Sequence, residues 1–284
     1  MTDVLVSYAQ NFEDVMLWRA LKDVEAGFYI DVGAFSPVSD SVTKAFYDRG
    51  WRGINIEPDP PRYRTFLETR PRDINLMVAL GSRRDNLTMH FVLDSGLSTL
   101  DEAEAEERRL GGFVVEPGPV EVQTLSSVWA DHVPASQAVH FLKVDVEGYE
   151  RNVLLGNDWS INRPWIVVVE ATRPTTMTPS FAGWEAILTD TGYEFVYLDG
   201  LNRFYVAAEH RALVPAFALP PNVFDAFIRA SEVESTRLLR NAESRVRSAE
   251  ARLDTILSSR SWRVTGPLRA AARCVRIARR ARAK

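Results

Sequence analysis

Cysteine is almost missing, since Cys274 is the only one in 284 residues. A single thiol excludes an intramolecular disulfide framework and any cysteine-based zinc or iron–sulfur centre. Histidine is nearly as scarce. His90, His132, His140 and His210 include no close pair, so a zincin-type site is not expected. No apolar run approaches the ~18 residues that a membrane-spanning helix needs. The first residues carry no basic-then-apolar leader pattern, and the expectation is a cytoplasmic protein. Phosphate-binding loops are lacking too. There is no Gly-rich loop followed by Lys-Ser/Thr. Phe35 and Val38 stand where a dinucleotide-binding Gly-x-Gly-x-x-Gly would have its second and third glycines. Without a diphosphate cradle, nicotinamide and flavin cofactors are disfavoured. Internal repeats and low-complexity tracts are also absent.

What is present has the proportions of an ordinary folded protein, with 46% hydrophobic and 25% charged residues. The net charge of −4 hides an asymmetry. Residues 260–284 hold nine of the 34 basic side chains and none of the 38 acidic ones. The first 259 residues therefore carry 25 basic against 38 acidic side chains, a net −13. An acidic body followed by a +9 segment points to two separate interactions.

Residues 28–32 read as a short buried strand stopped by Gly33. A helix-period stretch follows, with Val38, Val42, Ala45 and Phe46 on one face. Further strands are expected at 53–57 and 75–80, with a helix over 61–69 between them, and this alternation implies a parallel sheet with crossover helices. Strands at 139–144 and 165–169 extend it, followed by a helix over 181–191. A hairpin of 193–198 and 203–207 around Asp199-Gly200 closes it. Between the third and fourth strands, residues 82–138 form an excursion with strands near 87–93 and 120–124 and an acidic helix near 101–109. The expected architecture is thus α/β, a Rossmann-like, mostly parallel sheet with an antiparallel C-terminal hairpin, over residues 1–215. Beyond Pro220-Pro221, residues 222–259 read as an amphipathic or coiled-coil helix. Ile228, Leu239, Ala242, Val246, Ala249, Leu253 and Ile256 are expected on one seam, with steps of 3 and 4 from Leu239 onward. Packing against the chain's own domain, pairing in a homodimer and a rod-like spacer all account for that seam.

Ligands of open α/β sheets bind at the carboxyl ends of the strands. Asp31, Glu57, Asp145 and Glu170 all fall at such ends. Gly33 lets a backbone approach a ligand closely. Glu57 ends the second strand, where an acid can take both hydroxyls of a ribose. A nucleoside cofactor without phosphates, S-adenosylmethionine, fits this layout, with its ammonium near Asp31.

The chain resembles the FkbM-type S-adenosylmethionine-dependent methyltransferases from Ser7 to about Ala208. The matching stretches are Ser7–Asp14, Asp31-Val32-Gly33-Ala34, Arg49–Pro58, Leu142–Glu150 and the strand ending at Glu170. The resemblance implies a class I methyltransferase fold and O-methylation of a sugar or natural-product hydroxyl. It implies that Asp31 and Gly33 line the methionine part of the cofactor, with Ala34 and Ser36 among its further contacts. Glu57 and Pro58 would take the ribose, Ala79 the adenine neighbourhood, and Gln10, Glu13 and Asp14 the pocket mouth. Asp145 would stand beside the transferring methyl.

A sugar hydroxyl is a poor nucleophile at neutral pH, so a proton acceptor or a Mg²⁺ that acidifies it should help. Asp145 and Glu147 are the candidate catalytic carboxylates, and Asp145 and Glu170 the candidate Mg²⁺ ligands. Glu147 as a helix cap, and Glu170 paired with Lys143 or Arg173, are the structural alternatives. Ser98 and Thr99, in the polar loop 95–99, are candidate acceptor contacts. His140 and the tryptophans Trp51, Trp129, Trp159, Trp165 and Trp184 read as core. In 260–284, Pro267 opens a helix, and Leu268, Ala271, Val275 and Ala278 share a face among arginines. This segment suits an anionic membrane surface on the inner face, a glycosyltransferase partner or the acidic body. A solvated terminus is the simplest alternative. No stacking aromatics accompany the arginines, and no nucleic acid is expected. The expected acceptor is a saccharide or glycosylated intermediate. The alternatives are a natural-product small molecule, or a non-catalytic glycan-assembly protein using its coiled coil and basic tail.

Overall fold

Five buried residues in a row, Phe28–Val32, form the strand at the heart of the molecule, because both of its faces are covered. In the computed structural model, which describes residues 4–273 apart from Asp94 and Pro174, it belongs to a seven-stranded sheet. Numbering only the strands of that sheet in chain order, these are β1 (Phe28–Val32), β2 (Arg52–Ile56), β3 (Ile74–Leu76), β4 (Phe141–Val144), β5 (Ile166–Glu170), β6 (Tyr193–Leu198) and β7 (Asn202–Ala207). Their spatial order is β3-β2-β1-β4-β5-β7-β6. The first five are mutually parallel. β7 runs antiparallel to both β5 and β6. The chain reverses direction of growth at β1, with β2 on one side and β4 on the other, which makes this edge a topological switch point.

Alternation along each strand sorts two cores. Ile30, Val32, Ile54, Val144 and Val167 face one cluster, while Tyr29, Phe46, Trp51, Phe141 and Val168 face the other. His140 is buried between Trp51 and Trp165, with ring centroids 5.2 and 4.3 Å away. Its Nδ1 accepts the Phe28 N–H at 3.1 Å. Burial pulls its pKa down, so it is a neutral core residue. Trp51, Trp159 and Trp184 are buried, and Trp129 and Trp165 half-buried.

Several expected elements differ. The expected single strand 75–80 is broken at Met77. Ile74–Leu76 stays on the main sheet, while Ala79–Leu80 pairs with Val115–Gln123 in a second, three-stranded sheet completed by Asp85–Val92. The helix expected after Gly33 is reduced to Lys44–Asp48, because Phe35 and Asp40 both take left-handed backbone conformations and Pro37 lies between them. The helix over 181–191 is shortened to a 3₁₀ turn Phe181–Gly183 and a helix Glu185–Thr189. Two helices, Glu13–Leu21 and Leu125–His132, were not foreshadowed by a clear apolar period.

The chain divides into two compact units, Met1–Ile228 and Arg229–Lys284. The first extends past the expected limit of 215. Arg19 donates to the carbonyls of Ala216 and Leu219 at 2.9 and 2.7 Å and pairs with Asp225 at 2.6 Å, while Phe217 is buried. In the second unit, Ala230–Ser258 is one helix of 29 residues with none buried. It starts later than expected, because 222–229 hold a 3₁₀ turn and a strand. Ser259 is extended and caps the next helix, Arg260–Val264, by accepting the Trp262 N–H. Residues 266–273 are again helical, and Leu268 is exposed. Val275 and Ala278, expected on the same face, lie outside the described residues. Among the described residues, no helix is long and apolar enough to cross a membrane.

Candidate functional site

Parallel β1, β2, β4 and β5 end on one edge of the sheet, so Gly33, Glu57, Asp145 and Glu170 gather there although they are far apart in sequence. A cavity of about 300 Å³ opens at this edge. Gly33 lines it with φ +75°, and a Cβ there would sit 1.8 Å from the Asp145 carbonyl oxygen. Only glycine allows the β1 and β4 ends to meet this closely. The N–H groups of Gly33 and Ala34 both donate to the Ile56 carbonyl, which ties the first turn to β2.

Glu57 completes the tie. Its Oε2 accepts the Phe35 N–H at 2.8 Å and its Oε1 the Asp59 N–H at 2.9 Å. Burial pushes its carboxyl up to about 7, against the pull of those two hydrogen bonds. Each oxygen keeps a second lone pair for a ligand hydroxyl. Opposite, Lys143 donates to Asp145 Oδ2 at 3.0 Å and lies 4.0 Å from Asp31 Oδ1. Burial works against its ammonium, but Asp145 and Asp31 hold its pKa above the ordinary lysine value.

The acidic side of the cavity is more crowded. Ligand-type oxygens of Asp145, Glu147 and Glu170 lie within 4.8 Å of one another. Glu147 has φ +55° and pairs with Arg108 at 3.1 Å, and Arg108 also holds Glu104 at 3.0 Å. Glu170 Oε2 is buried without a hydrogen-bond partner. Burial, followed by repulsion from Asp145, raises the pKa of both Glu147 and Glu170. Glu147 does not cap the following helix, Glu150–Leu155, whose cap residue is Tyr149 without a side-chain cap bond; Glu150 Oε1 instead braces the preceding turn by accepting the N–H groups of Val146 and Gly148. Arg173 pairs with Glu104 and Glu107, and Lys143 with Asp145 and Asp31.

Of the residues singled out from sequence, Gln10, Gly33, Glu57, Pro58, Ala79, Ser98, Asp145 and Glu147 line the cavity. Others stand behind its wall. Asp31 is buried and takes the Thr43 hydroxyl at 3.1 Å, because register places it between Asn55 and Lys143 on the sheet face. Ala34 is buried, and Ser36 uses its hydroxyl to accept the N–H groups of Val38 and Ser39. Thr99 is fully buried and donates to the Glu147 carbonyl at 2.9 Å, so it positions Glu147 and does not face the cavity. Glu13 and Asp14, expected at the mouth, are buried at a helix start. Glu13 accepts from Asn202, and Asp14 from Ser7 and the Tyr8 N–H.

The remaining wall was not legible in the sequence. Met89, Leu97 and Leu100 come from the excursion between β3 and β4 and give the cavity an apolar side. Phe35 lies under the Arg62 guanidinium at 4.1 Å, and Arg62 also donates to the Ser95 carbonyl. These contacts hold the loop 95–100 against the first turn. The position and polarity of loop 95–99 pointed to a role, and an excursion of this kind could be expected to cover a pocket, but not which apolar side chains would do so.

A sheet of this order with its cavity at the switch point defines the class: a Rossmann-like α/β protein that binds its ligand at the carboxyl ends of its strands. The family follows from direct comparison. The family model of the methyltransferase FkbM domain matches residues 31–195, more than half of the chain, and the chain belongs to that methyltransferase family. No curated protein matches it.

Proposed function

We propose that this protein transfers a methyl group from S-adenosylmethionine to a hydroxyl of a saccharide or glycosylated acceptor. The observation that carries the cofactor reading is the junction at Gly33 and Glu57. There a Cβ is sterically forbidden, and a buried carboxylate faces a cavity with an apolar side. This donor set suits an uncharged nucleoside. Glu57 offers acceptors for a pair of hydroxyls, Pro58, Ala79 and Leu97 offer flat apolar contact, and Gly33 offers open backbone. When bound, the cofactor supplies a methyl group already activated by its sulfonium. What the chain must add is orientation of the acceptor oxygen and removal of its proton.

Asp145 is fitted for the second task. It lines the cavity, and Lys143 bridges one of its oxygens while leaving the other free of that bridge. Glu147 stands next to it with a raised pKa, poised nearer neutrality than an ordinary carboxylate. Asp145, Glu147 and Glu170 also offer the all-oxygen donors that Mg²⁺ prefers.

Calorimetric titration with S-adenosylmethionine, with and without Mg²⁺, tests the reading. Micromolar binding that weakens at least about tenfold in Glu57→Ala is expected, a loss of about 1.4 kcal/mol. Transfer of labelled methyl to a panel of saccharides then separates a glycan acceptor from a small natural product. No binding under either condition would turn the reading toward a non-catalytic assembly role.

A further inference from the structure

The helix Ala230–Ser258 presents an unused apolar seam, and its charges state how that seam is to be covered. Leu239, Val246 and Leu253 occupy one heptad position (a), and Ala242, Ala249 and Ile256 the next apolar one (d). In the structure this stripe is solvent-facing, with Leu239 61%, Val246 55% and Leu253 53% exposed. A 29-residue helix whose apolar stripe covers nothing has not met its hydrophobic requirement.

The positions that flank the seam carry the decisive pattern. Glu243 and Glu250 stand on one flank (e), and Arg245 and Arg252 on the other (g). In a parallel, in-register pair of helices, each g residue meets the e residue five positions further along its partner. Arg245 then faces Glu250 of the second copy, twice by symmetry. An antiparallel pair brings e to e and g to g, which sets Glu against Glu and Arg against Arg. Leu238 and Leu257 sit at the g and e positions bounding these charges, so they widen the apolar stripe without breaking the pattern. Small alanines at Ala242 and Ala249 allow the two helix backbones to approach closely.

We propose that residues 238–257 form a parallel, in-register two-stranded coiled coil with a second copy of this chain. The occupant is a second copy because one helix supplies both halves of the charge code, the property of a self-complementary surface. With about two and a half heptads the pairing is short, so the dimer should be reversible, with dissociation in the micromolar range. Parallel pairing also starts both basic segments, 260–284, from the same end of the coil. A single strand of +9 thereby becomes a paired +18.

Sedimentation equilibrium of the full-length protein, from about 1 to 100 µM, gives the first readout, with a monomer–dimer equilibrium expected. Reversing one flank in Glu243→Arg/Glu250→Arg puts like charges on both sides and should weaken the dimer at least about tenfold. The opposite variant, Arg245→Glu/Arg252→Glu, should weaken it similarly. Mixing the two variants should restore a dimer. Orientation is read in a Cys274→Ser background. Ala242→Cys should cross-link to itself under mild oxidation, whereas Ala242→Cys mixed with Leu253→Cys should give little hetero-cross-link. A monomer at every concentration would overturn the proposal. So would a dimer indifferent to both charge reversals, a trimer, or preferential 242-to-253 cross-linking. The sites substituted within Ala230–Ser258 are exposed helix positions, and unchanged helicity in circular dichroism separates lost pairing from lost folding.

Discussion

Arg70 and Arg245 show how differently the two units of this chain use the same side chain. Arg70 is completely buried and fully engaged. It donates to the Pro37 carbonyl at 2.9 Å, the Ser41 hydroxyl at 3.0 Å and the Tyr29 hydroxyl at 3.2 Å, and lies 3.5 Å from Asp73. Asp73 in turn accepts from Tyr29, Asn55 and the Gly53 N–H. That network clamps β1, β2 and the turn after Gly33 from beneath the cavity. Arg245 lies on an exposed helix, where its charge is hydrated and screened. In this network charge is a structural material, held in place by low dielectric and several hydrogen bonds per group. In the second unit it stands in solvent, hydrated and screened, on a helix with no buried residue.

Breaking the buried network should have the largest effect. Arg70→Ala removes the cation beside buried Asp73 and the donor to the Pro37 carbonyl and to the Ser41 and Tyr29 hydroxyls. Chemical denaturation should report a loss of about 3–5 kcal/mol, enough to remove a large share of a typical domain's stability.

A more selective comparison uses pH. Burial raises Glu150 to about 7, opposed by the N–H groups it accepts. The folded state therefore binds a proton that the unfolded state releases near the ordinary glutamate value. Its contribution to stability is present at low pH and is lost as pH climbs through the folded value near 7. Glu150→Gln keeps an oxygen for the Val146 and Gly148 N–H groups but does not titrate. Between pH 5 and pH 8 the variant should gain on the wild type by about 2 kcal/mol, measured as the difference between their unfolding free energies. A constant difference across that range would remove Glu150 from the account.

The smallest effect should come from the second unit. Ala251→Gly, on the outer face of the helix, should cost about 1 kcal/mol of local helix stability. It should be visible as a lower ellipticity at 222 nm. The denaturation midpoint of the first unit should not move. A shift there would mean that the two units unfold together.

The residues that were legible in the sequence share a property: their meaning is local. Phe28–Val32 reads as a strand from its own apolar run, and Gly33, Glu57 and Asp145 stand at the end of their own strands or within a residue of it. The 3-and-4 seam of 239–256 is likewise visible without any other part of the chain. The side chain of Asp31 stands behind the cavity wall for an equally plain reason. Strand position located it at the right edge, but which way its side chain points depends on register, and register set it between Asn55 and Lys143. Glu13 and Asp14 were displaced from the mouth because the helix that begins there turns their carboxylates toward Ser7 and Asn202.

By itself, then, the sequence determined the parallel αβ framework, the glycine and acids at its strand ends, and the charge code of the terminal helix. Each follows from covalent spacing and from the preferences of a few neighbouring residues. Only the tertiary structure decided which acids face the cavity, that Arg108 answers Glu147 across 39 positions, and that Met89 and Leu97 return from the excursion to close one side. Those pairings join segments far apart in the chain. Their energies depend on burial and distance, which exist only after the sheet has assembled and excluded water from between them.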